Sequence, residues 1–278
     1  MDSLISGSIA GIVADVATHP LGTVKTRLQV QGASASSLTR YGGVAQGLTR
    51  ILSREGVGAL YKGVGVVVAT AAPAQGLFFL GNDTAREALR PHLPAAAASF
   101  AAGCVAQLCG SLCWVPMDTV KERLQVEGQL KRGSKAELGG SWNAVRTILR
   151  REGLRGFYPA YWVHQATWAP FNGLFFAIYE ACKEYTNGLC SGVVAGVAAG
   201  FLTNPMDLVK TRLQVMRADP STFAYAGAFD CIGQILRREG PLAFLDGAIA
   251  RCATVAPRLT ICVLVKDAIA PGVKEVLG

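Results

Sequence analysis

Long apolar segments divide the chain into pieces of similar length. Each segment is about 17–20 residues long, carries few charges and lacks the alternation of apolar and polar residues that predicts a β-strand. A helix needs roughly 20 residues to cross the apolar core of a bilayer. The pattern predicts an all-α membrane protein with six transmembrane helices. These helices are predicted at about residues 4–20, 64–81, 97–116, 160–179, 188–205 and 248–265.

The six segments belong to three repeats of one unit. The first long segment of each repeat ends at a proline, and Pro20, Pro116 and Pro205 are 96 and 89 residues apart. An Arg-Glu-Gly triplet and an Ala-Pro pair recur in the same register, and such a fixed period is the signature of a repeat architecture. We therefore divide the chain into repeats at 1–92, 93–187 and 188–278, which together form one transmembrane domain.

Each repeat also carries a short amphipathic segment between its two long ones. These segments cover Val44–Arg54, Val145–Arg151 and Ile232–Arg238. A single helical hairpin has too little surface to form a bundle alone, whereas three hairpins in pseudo-threefold symmetry can enclose a central space. The even number of spans places both termini on the same side of the membrane.

The composition argues against a soluble protein. Hydrophobic residues make up 51% of the chain and charged residues 17%, with a formal net charge of +8. The basic residues lie mainly at the ends of the apolar segments, where they suit anionic lipid head groups or an anionic solute. Ordinary flanking charge that orients the helices explains them equally well. No zinc-finger spacing or aromatic–basic platform points to a nucleic acid.

No constellation for catalysis is visible. The chain lacks a nucleophile–base pattern, a phosphate-binding loop and a dinucleotide fingerprint, so we expect neither an enzyme nor a cofactor. The eight Cys residues form no C-x-x-C pair and no metal-ligand spacing with His, so we expect neither a disulfide framework nor a metal site. The start of the chain has no basic or Arg-rich prelude, and we expect any targeting signal to be internal.

The proline motif carries a family resemblance. It reads Pro-x-[Asp/Glu]-x-x-[Lys/Arg]-x-[Lys/Arg], and its three copies resemble the signature of the mitochondrial carrier family over about residues 1–270. The resemblance implies six tilted helices around one central site, with alternating access between two gates. It also implies a monomer in the mitochondrial inner membrane, contact with cardiolipin, and termini on the intermembrane-space side.

The motif residues are the candidates for the gate on the matrix side. Acid and lysine are three residues apart, so they share one helical face and can pair around a ring. One position departs from the family, because Gly22 replaces the acid of repeat one. We expect a weaker gate in which Lys121 lacks its partner. By resemblance the matrix gate consists of Lys25, Asp118, Lys121, Asp207 and Lys210, braced by Gln29, Gln125 and Gln214.

The gate on the opposite side is predicted near the ends of the even-numbered long helices. The family pattern there is aromatic-acid-x-x-basic, and repeat three departs from it because Ala270 replaces the basic residue. We expect this network to be incomplete as well. By resemblance it consists of Asp83, Arg86, Tyr179, Glu180, Lys183, Lys266 and Asp267.

Small residues recur at four-residue spacing along the odd-numbered long helices. Gly192, Gly196 and Gly200 form such a stripe, which allows neighbouring helices to approach when a gate closes. At the aligned position of repeat one, Asp15 places an ionisable group inside the membrane. Asp15 is a candidate for binding a ligand or a proton, or for pairing with a nearby Lys or Arg.

The Ala-Pro pairs align the second long helix of each repeat and indicate the central site. Guanidinium groups bind carboxylates in a bidentate manner, and an acid can receive an amine. The predicted substrate contacts are Asp15, Thr70, His164, Thr167, Trp168, Arg251, Thr254 and Arg258. They favour a secondary transporter of a carboxylate-bearing or zwitterionic metabolite, such as an amino acid or an S-adenosylmethionine-like compound. A metal or cation carrier of the mitoferrin type is the alternative.

Overall fold

The computed structural model describes residues 2–33, 40–130, 139–218 and 223–277. This part of the chain is helical and contains no β-strand. We number the α-helices in chain order. They are α1 (Asp2–Val30), α2 (Val44–Glu55), α3 (Val57–Leu60), α4 (Val64–Leu89), α5 (Ala95–Val126), α6 (Ser141–Glu152), α7 (Tyr161–Cys182), α8 (Gly188–Leu202), α9 (Asn204–Val215), α10 (Ala228–Arg238) and α11 (Ala248–Leu277).

The helices repeat the predicted order of long, short and long three times. The short amphipathic segments form α2, α6 and α10. Two prolines of the motif lie inside continuous helices, since α1 runs through Pro20 and α5 through Pro116. In repeat three the chain instead bends by 64° between α8 and α9, where Pro205 lies in the first turn of α9. The segment of repeat three is therefore divided into two helices, and its proline lies in the first turn of the second, where the missing N–H costs no helical hydrogen bond.

Six long segments form the transmembrane part. By length and composition alone, three described segments and the bent pair α8–α9 are long and apolar enough to span a membrane: Val57–Leu89, Phe100–Gln129, Pro241–Lys266 and Gly188–Leu202 with Asn204–Val215. Helices α1 and α7 contain 29 and 22 residues, which is also enough to cross a bilayer. Helix α1 is the first long helix of repeat one, and α7 is the second long helix of repeat two.

The long helices pack in a closed ring. Each contacts the next in the order α1, α4, α5, α7, α8 and α11, and α11 returns to α1. The contacts are most extensive where repeats meet, between α4 and α5 and between α1 and α11. The halves of α1 and α5 that follow their prolines converge on α9, so the ring is closed at the end that carries the proline motifs. We call this the motif end, and the opposite end, where the chain begins and finishes, the terminal end.

Apolar packing anchors the motif end. In each repeat the short helix presents an isoleucine to the neighbouring long helix, as Ile51 does against Val24 and Leu28. The equivalent residues Val30, Val126 and Val215 end the three motif segments, and all three are fully buried in one cluster. Burial raises the pKa of the Cys231 thiol in α10 to about 12, so this Cys packs as a small protonated side chain.

Candidate functional site

Five charged side chains of the proline motif meet at the motif end. Lys25 Nζ lies 2.5 Å from Asp207 Oδ2, and Lys210 Nζ lies 2.8 Å from Asp118 Oδ2. Each pair joins two repeats, because the motif places the acid and the lysine on the inner face of its helix. We call Lys25, Lys121, Lys210, Asp118 and Asp207 the lysine–aspartate ring. The two inter-repeat pairs anticipated from the sequence are both present.

The expectation for Lys121 was wrong. Lys121 has a partner, because its Nζ lies 2.5 Å from Oδ1 of Asp118 on its own helix. The acid of repeat one that would attract it is absent at Gly22, so Lys121 turns to the acid three residues before it. Asp118 consequently contacts two lysines with its two carboxylate oxygens. The ring is therefore asymmetric, with one aspartate serving Lys121 and Lys210 together.

The three glutamines lie next to the ring. Gln29 Nε2 donates to Asp207 Oδ2 at 2.9 Å, and its Oε1 accepts a hydrogen bond from Thr211 at 3.0 Å. Gln125 accepts a hydrogen bond from Thr26 at 2.8 Å. Of the three glutamines, only Gln29 is therefore hydrogen-bonded to a carboxylate of the lysine–aspartate ring.

Three arginines form a second, more regular network that the sequence reasoning missed. Arg27 Nε donates to the carbonyl of Gln125 at 2.8 Å, Arg123 Nε to that of Gln214 at 3.1 Å, and Arg212 Nε to that of Gln29 at 3.0 Å. Each guanidinium therefore bonds the backbone of another repeat. The same groups contact both carboxylate oxygens of Glu55, Glu152 and Glu239 in the Arg-Glu-Gly triplets. We call Arg27, Arg123 and Arg212 the arginine ring.

The signal for the arginine ring was present in the sequence. The last basic residue of the proline motif and the glutamate of the Arg-Glu-Gly triplet keep the same register in all three repeats. Near the third copy, burial raises the pKa of Tyr225 to about 12, so its hydroxyl stays protonated beside Arg212.

Arg212→Ala is expected to destabilise the fold strongly. Arg212 is fully buried, and its loss leaves the Glu239 carboxylate and the Gln29 carbonyl without their donor. Breaking a buried pair on one side costs about 3–5 kcal/mol. The apparent Tm of the purified protein in detergent should fall well below that of Arg217→Ala, which removes an arginine that is 40% exposed. Equal Tm values for the two variants would contradict this role.

The charged pair of the central site lies nearer the terminal end. Arg258 Nε of α11 is 2.5 Å from Asp15 Oδ1 of α1. The side chains keep 44% and 30% of their surface exposed, in contrast to the buried aspartates of the lysine–aspartate ring. Asp15 therefore has a basic partner, which is one of the alternatives that the sequence left open. The pair lies outside the closed motif end and is partly exposed.

A buried polar group lies between this pair and the lysine–aspartate ring. His164 is 1% exposed, and neither of its ring nitrogens has a hydrogen-bond partner; the same is true of Arg251 Nη1. Arg251 Nε is 3.8 Å from Asp207 Oδ2, and His164 Nδ1 is 3.8 Å from Asp118 Oδ2. Arg251 also stacks over the ring of Phe171 at 5.6 Å. Unpaired buried polar atoms are costly, so this group is suited to receive a polar ligand.

The other predicted contacts are arranged around these charges. The hydroxyls of Thr70, Thr167 and Thr254 each donate to the carbonyl four residues earlier in their own helix, at 2.7–2.8 Å. Each keeps its acceptor capacity. The Trp168 ring lies 6.1 Å from His164, centroid to centroid. These residues can line a site, but their hydroxyl hydrogens are used within the helices.

The residues predicted for the gate opposite the motif end lie apart from one another. Lys183 pairs with Glu180 of its own helix, and Tyr179 stacks on Phe175 at 6.1 Å. Asp83, Arg86 and Lys266 are exposed, and the side chain of Asp267 lies outside the described residues. Among the described side chains, none of this set forms an ion pair with another repeat. Within this part of the chain, ion pairs between repeats therefore do not close the terminal end.

The glycine positions show where two long helices are close and where there is room for an added side chain. A side chain added at Gly196 would come within 2.5 Å of Leu259 on α11, so α8 and α11 are already close there, as the small-residue stripe predicted. Gly7, Gly103 and Gly192 occupy equivalent positions nearer the terminal end, and a Cβ at any of them would meet nothing within 4 Å. Room for helix approach thus exists at the terminal end.

Comparison with known proteins places these features in a family. The family described as mitochondrial carrier protein matches residues 1–93, 94–188 and 184–275. The chain is 35% identical to mitochondrial substrate carrier family protein E of Dictyostelium discoideum, over 91% of this chain and 90% of that protein.

Two human relatives have names that state a substrate. The chain is 33% identical to the electrogenic aspartate/glutamate antiporter, over 92% of this chain and 38% of that protein. It is 29% identical to mitochondrial glutamate carrier 1, over 94% of this chain and 91% of that protein.

Proposed function

Because its three repeats match the mitochondrial carrier family, the chain belongs to that family, and we propose that it transports an acidic amino acid. Members of this family are multi-pass proteins of the mitochondrial inner membrane with six transmembrane helices, and the relatives named above are carriers and antiporters rather than enzymes. The relatives support a carboxylate or amino-acid substrate. The particular substrate is our proposal.

The observation that carries the proposal is the partly exposed pair of Asp15 and Arg258, together with Arg251, whose Nη1 has no hydrogen-bond partner. An acidic amino acid has two carboxylates and one ammonium group. Two guanidinium groups and one carboxylate are the complementary set. Arg251 and Arg258 are two turns apart on α11, about 10 Å along the helix axis, so their flexible side chains can hold both ends of one small molecule.

Binding at Arg251 would also act on the closed end. Arg251 lies beside Asp207, which holds Lys25 of another repeat. A substrate carboxylate that draws the guanidinium toward itself removes one cation from Asp207 and weakens the lysine–aspartate ring. In this scheme the substrate enters from the terminal end, and its binding energy loosens the motif end. Alternating access then follows from a single site placed between the two gates.

The remaining features of the proposal follow from the family. The motif end would face the matrix, the termini would face the intermembrane space, and the protein would exchange solutes as a monomer in contact with cardiolipin. By resemblance to the family, the aromatic-basic-Gly element that contains Lys62 would contact a lipid head group. Lys62 pairs with Glu127 of repeat two at 2.7 Å, so this element also links two repeats.

The metal carrier considered from the sequence has less support. Among the described residues, no three His, Cys, Asp or Glu side chains gather into a group that could hold a metal ion. The sulfur of Cys252, which follows Arg251 in α11, lies 3.6 Å from the carbonyl oxygen of Val197. An S-adenosylmethionine-like compound has one carboxylate and one amine, so it would use Asp15 and only one of the two arginines.

Ligand-induced stabilisation of the purified protein tests the proposal. A ligand that binds the folded state raises its apparent Tm with concentration. We expect aspartate or glutamate to raise the Tm more than glutamine, S-adenosylmethionine, adenine nucleotides or ferrous iron. The response should persist in Arg150→Ala, a control at an exposed arginine of α6, and disappear in Arg258→Ala. Stabilisation by iron or a nucleotide, without any by an amino acid, would overturn it.

A further inference from the structure

Glu122 occupies a position that holds threonine in the other two repeats. It follows the ring lysine of repeat two directly, as Thr26 and Thr211 follow those of repeats one and three. Both threonines donate their hydroxyl to the glutamine of a neighbouring repeat, at 2.8 Å and 3.0 Å. Repeat two therefore has an acid at a position where the other two repeats have a neutral hydrogen-bonding residue.

The contacts of Glu122 differ from those of the threonines. Its residue surface is 2% exposed, and its Oε1 lies 3.7 Å from Nζ of Lys210. When the Gln214 amide is oriented with its nitrogen toward the carboxylate, that nitrogen lies 2.6 Å from Oε2 of Glu122. Glu122 thus keeps the link to the next glutamine and adds a negative charge beside a ring lysine. A buried carboxylate persists only where such partners surround it.

The charges in and beside the lysine–aspartate ring indicate the role of Glu122. The lysine–aspartate ring contains three lysines and two aspartates, because Gly22 supplies no carboxylate. Asp118 is divided between Lys121 and Lys210. Glu122 approaches Lys210, the lysine that shares its aspartate. With Glu122, the three ring lysines have three acids near them.

We propose that Glu122 is the third acid of the motif-end gate and substitutes for the carboxylate missing at Gly22. The proposal rests on the function proposed above, in that a carrier must close and reopen this end. The missing acid of repeat one is thus supplied from repeat two, one residue beyond the motif. The strength of the closed gate then depends on Glu122 as much as on the aspartates of the motif.

A purely structural role for Glu122 makes a different prediction. If the residue only holds Gln214, threonine should serve equally well, as it does toward Gln29 and Gln125. Glu122→Thr retains a hydrogen-bonding side chain and removes the charge, so it separates the two roles. Gly22→Asp supplies a carboxylate at the family position, and a Cβ at Gly22 meets nothing within 4 Å. The two substitutions together move the third acid back to repeat one.

The test compares the apparent Tm of the ligand-free wild type, Glu122→Thr, Gly22→Asp and the double variant. We expect Glu122→Thr to lower the Tm by about 5 °C or more, and Gly22→Asp to recover most of that loss in the double variant. In the wild-type background, where the three ring lysines already have three acids near them, Gly22→Asp should give no increase. This readout needs no substrate, so it holds or fails independently of the proposed substrate.

Three results would overturn the proposal. If Glu122→Thr had the same Tm as the wild type, a hydroxyl at this position would stabilise the protein as well as the carboxylate does. A double variant no more stable than Glu122→Thr would show that the lost charge cannot be replaced from repeat one. If Glu122→Thr fails to fold, the Gly22→Asp variant still decides, because a Tm raised by about 5 °C or more would show that the wild-type ring lacks an acid.

Discussion

Arg258→Ala is expected to lower the initial rate of acidic amino-acid uptake into liposomes that contain the purified protein by on the order of 100-fold. The substitution removes the guanidinium that would bind a substrate carboxylate. It also leaves Asp15 without its partner, and the remaining negative charge repels an anion. Arg150→Ala, at an exposed arginine of α6, should transport at the wild-type rate.

A double variant separates binding from structural support at this pair. Asp15→Asn combined with Arg258→Gln removes both charges, keeps polar side chains of similar size and leaves no unpaired ion. We expect it to fold, with a Tm close to that of the wild type, and to remain inactive, because the substrate has lost two of its three charged contacts and keeps only Arg251. If the double variant transported at nearly the wild-type rate, the pair would be structural and the proposed substrate site would be wrong.

Gly103→Leu is expected to abolish transport and leave the fold intact. A Cβ at Gly103 meets nothing within 4 Å, so the present conformer accepts a larger side chain. Gly103 lies two turns before Ser111, which contacts Gln165 of α7 at 3.4 Å, so it shares the face of α5 that turns toward α7. Closing the terminal end would bring this face against its neighbour, and a leucine would prevent the approach. Uptake should fall by at least about tenfold.

Two further glycine variants calibrate this result. Gly173→Leu adds the same bulk at an exposed position of α7 and should transport normally. Gly196→Leu adds it where Leu259 and Val255 already lie within 3 Å of the new Cβ, and should lower the Tm markedly. The Tm of Gly103→Leu should lie within about 2 °C of the wild type. Wild-type uptake by Gly103→Leu would contradict the idea that this end closes by helix approach.

The repeated motif made much of the fold and part of the site predictable. Proline and lysine recur at fixed offsets in all three repeats and the acid in two, so the pairs Lys25–Asp207 and Lys210–Asp118 follow from threefold symmetry once the register is known. The symmetry also explains the error at Lys121. Symmetry assigns its partner to repeat one, whereas the real partner is Asp118, three residues earlier on the same face of its own helix.

The other features depend on deviations from the repeat. Glu122 lies one residue past the motif lysine, and its contact with Lys210 arises only when the helices cross at the motif end. Asp15 and Arg258 are 243 residues apart in the chain, and their pairing depends on α11 closing the ring against α1. The 64° bend between α8 and α9 divides this segment into two helices, whereas the described helices α1 and α5 continue through their prolines. Each of these reflects contacts between elements, which the local pattern of residues does not encode.

The most direct test of the proposed transport is the uptake of acids and their matching amides into liposomes that contain the purified wild-type protein. Aspartate and asparagine, like glutamate and glutamine, are nearly equal in size and differ in one negative charge. If Arg251 and Arg258 bind two carboxylates, at least one acid should enter at least about ten times faster than its amide, because the amide leaves one guanidinium unpaired. Equal rates for acid and amide, or uptake of ferrous iron alone, would contradict this account.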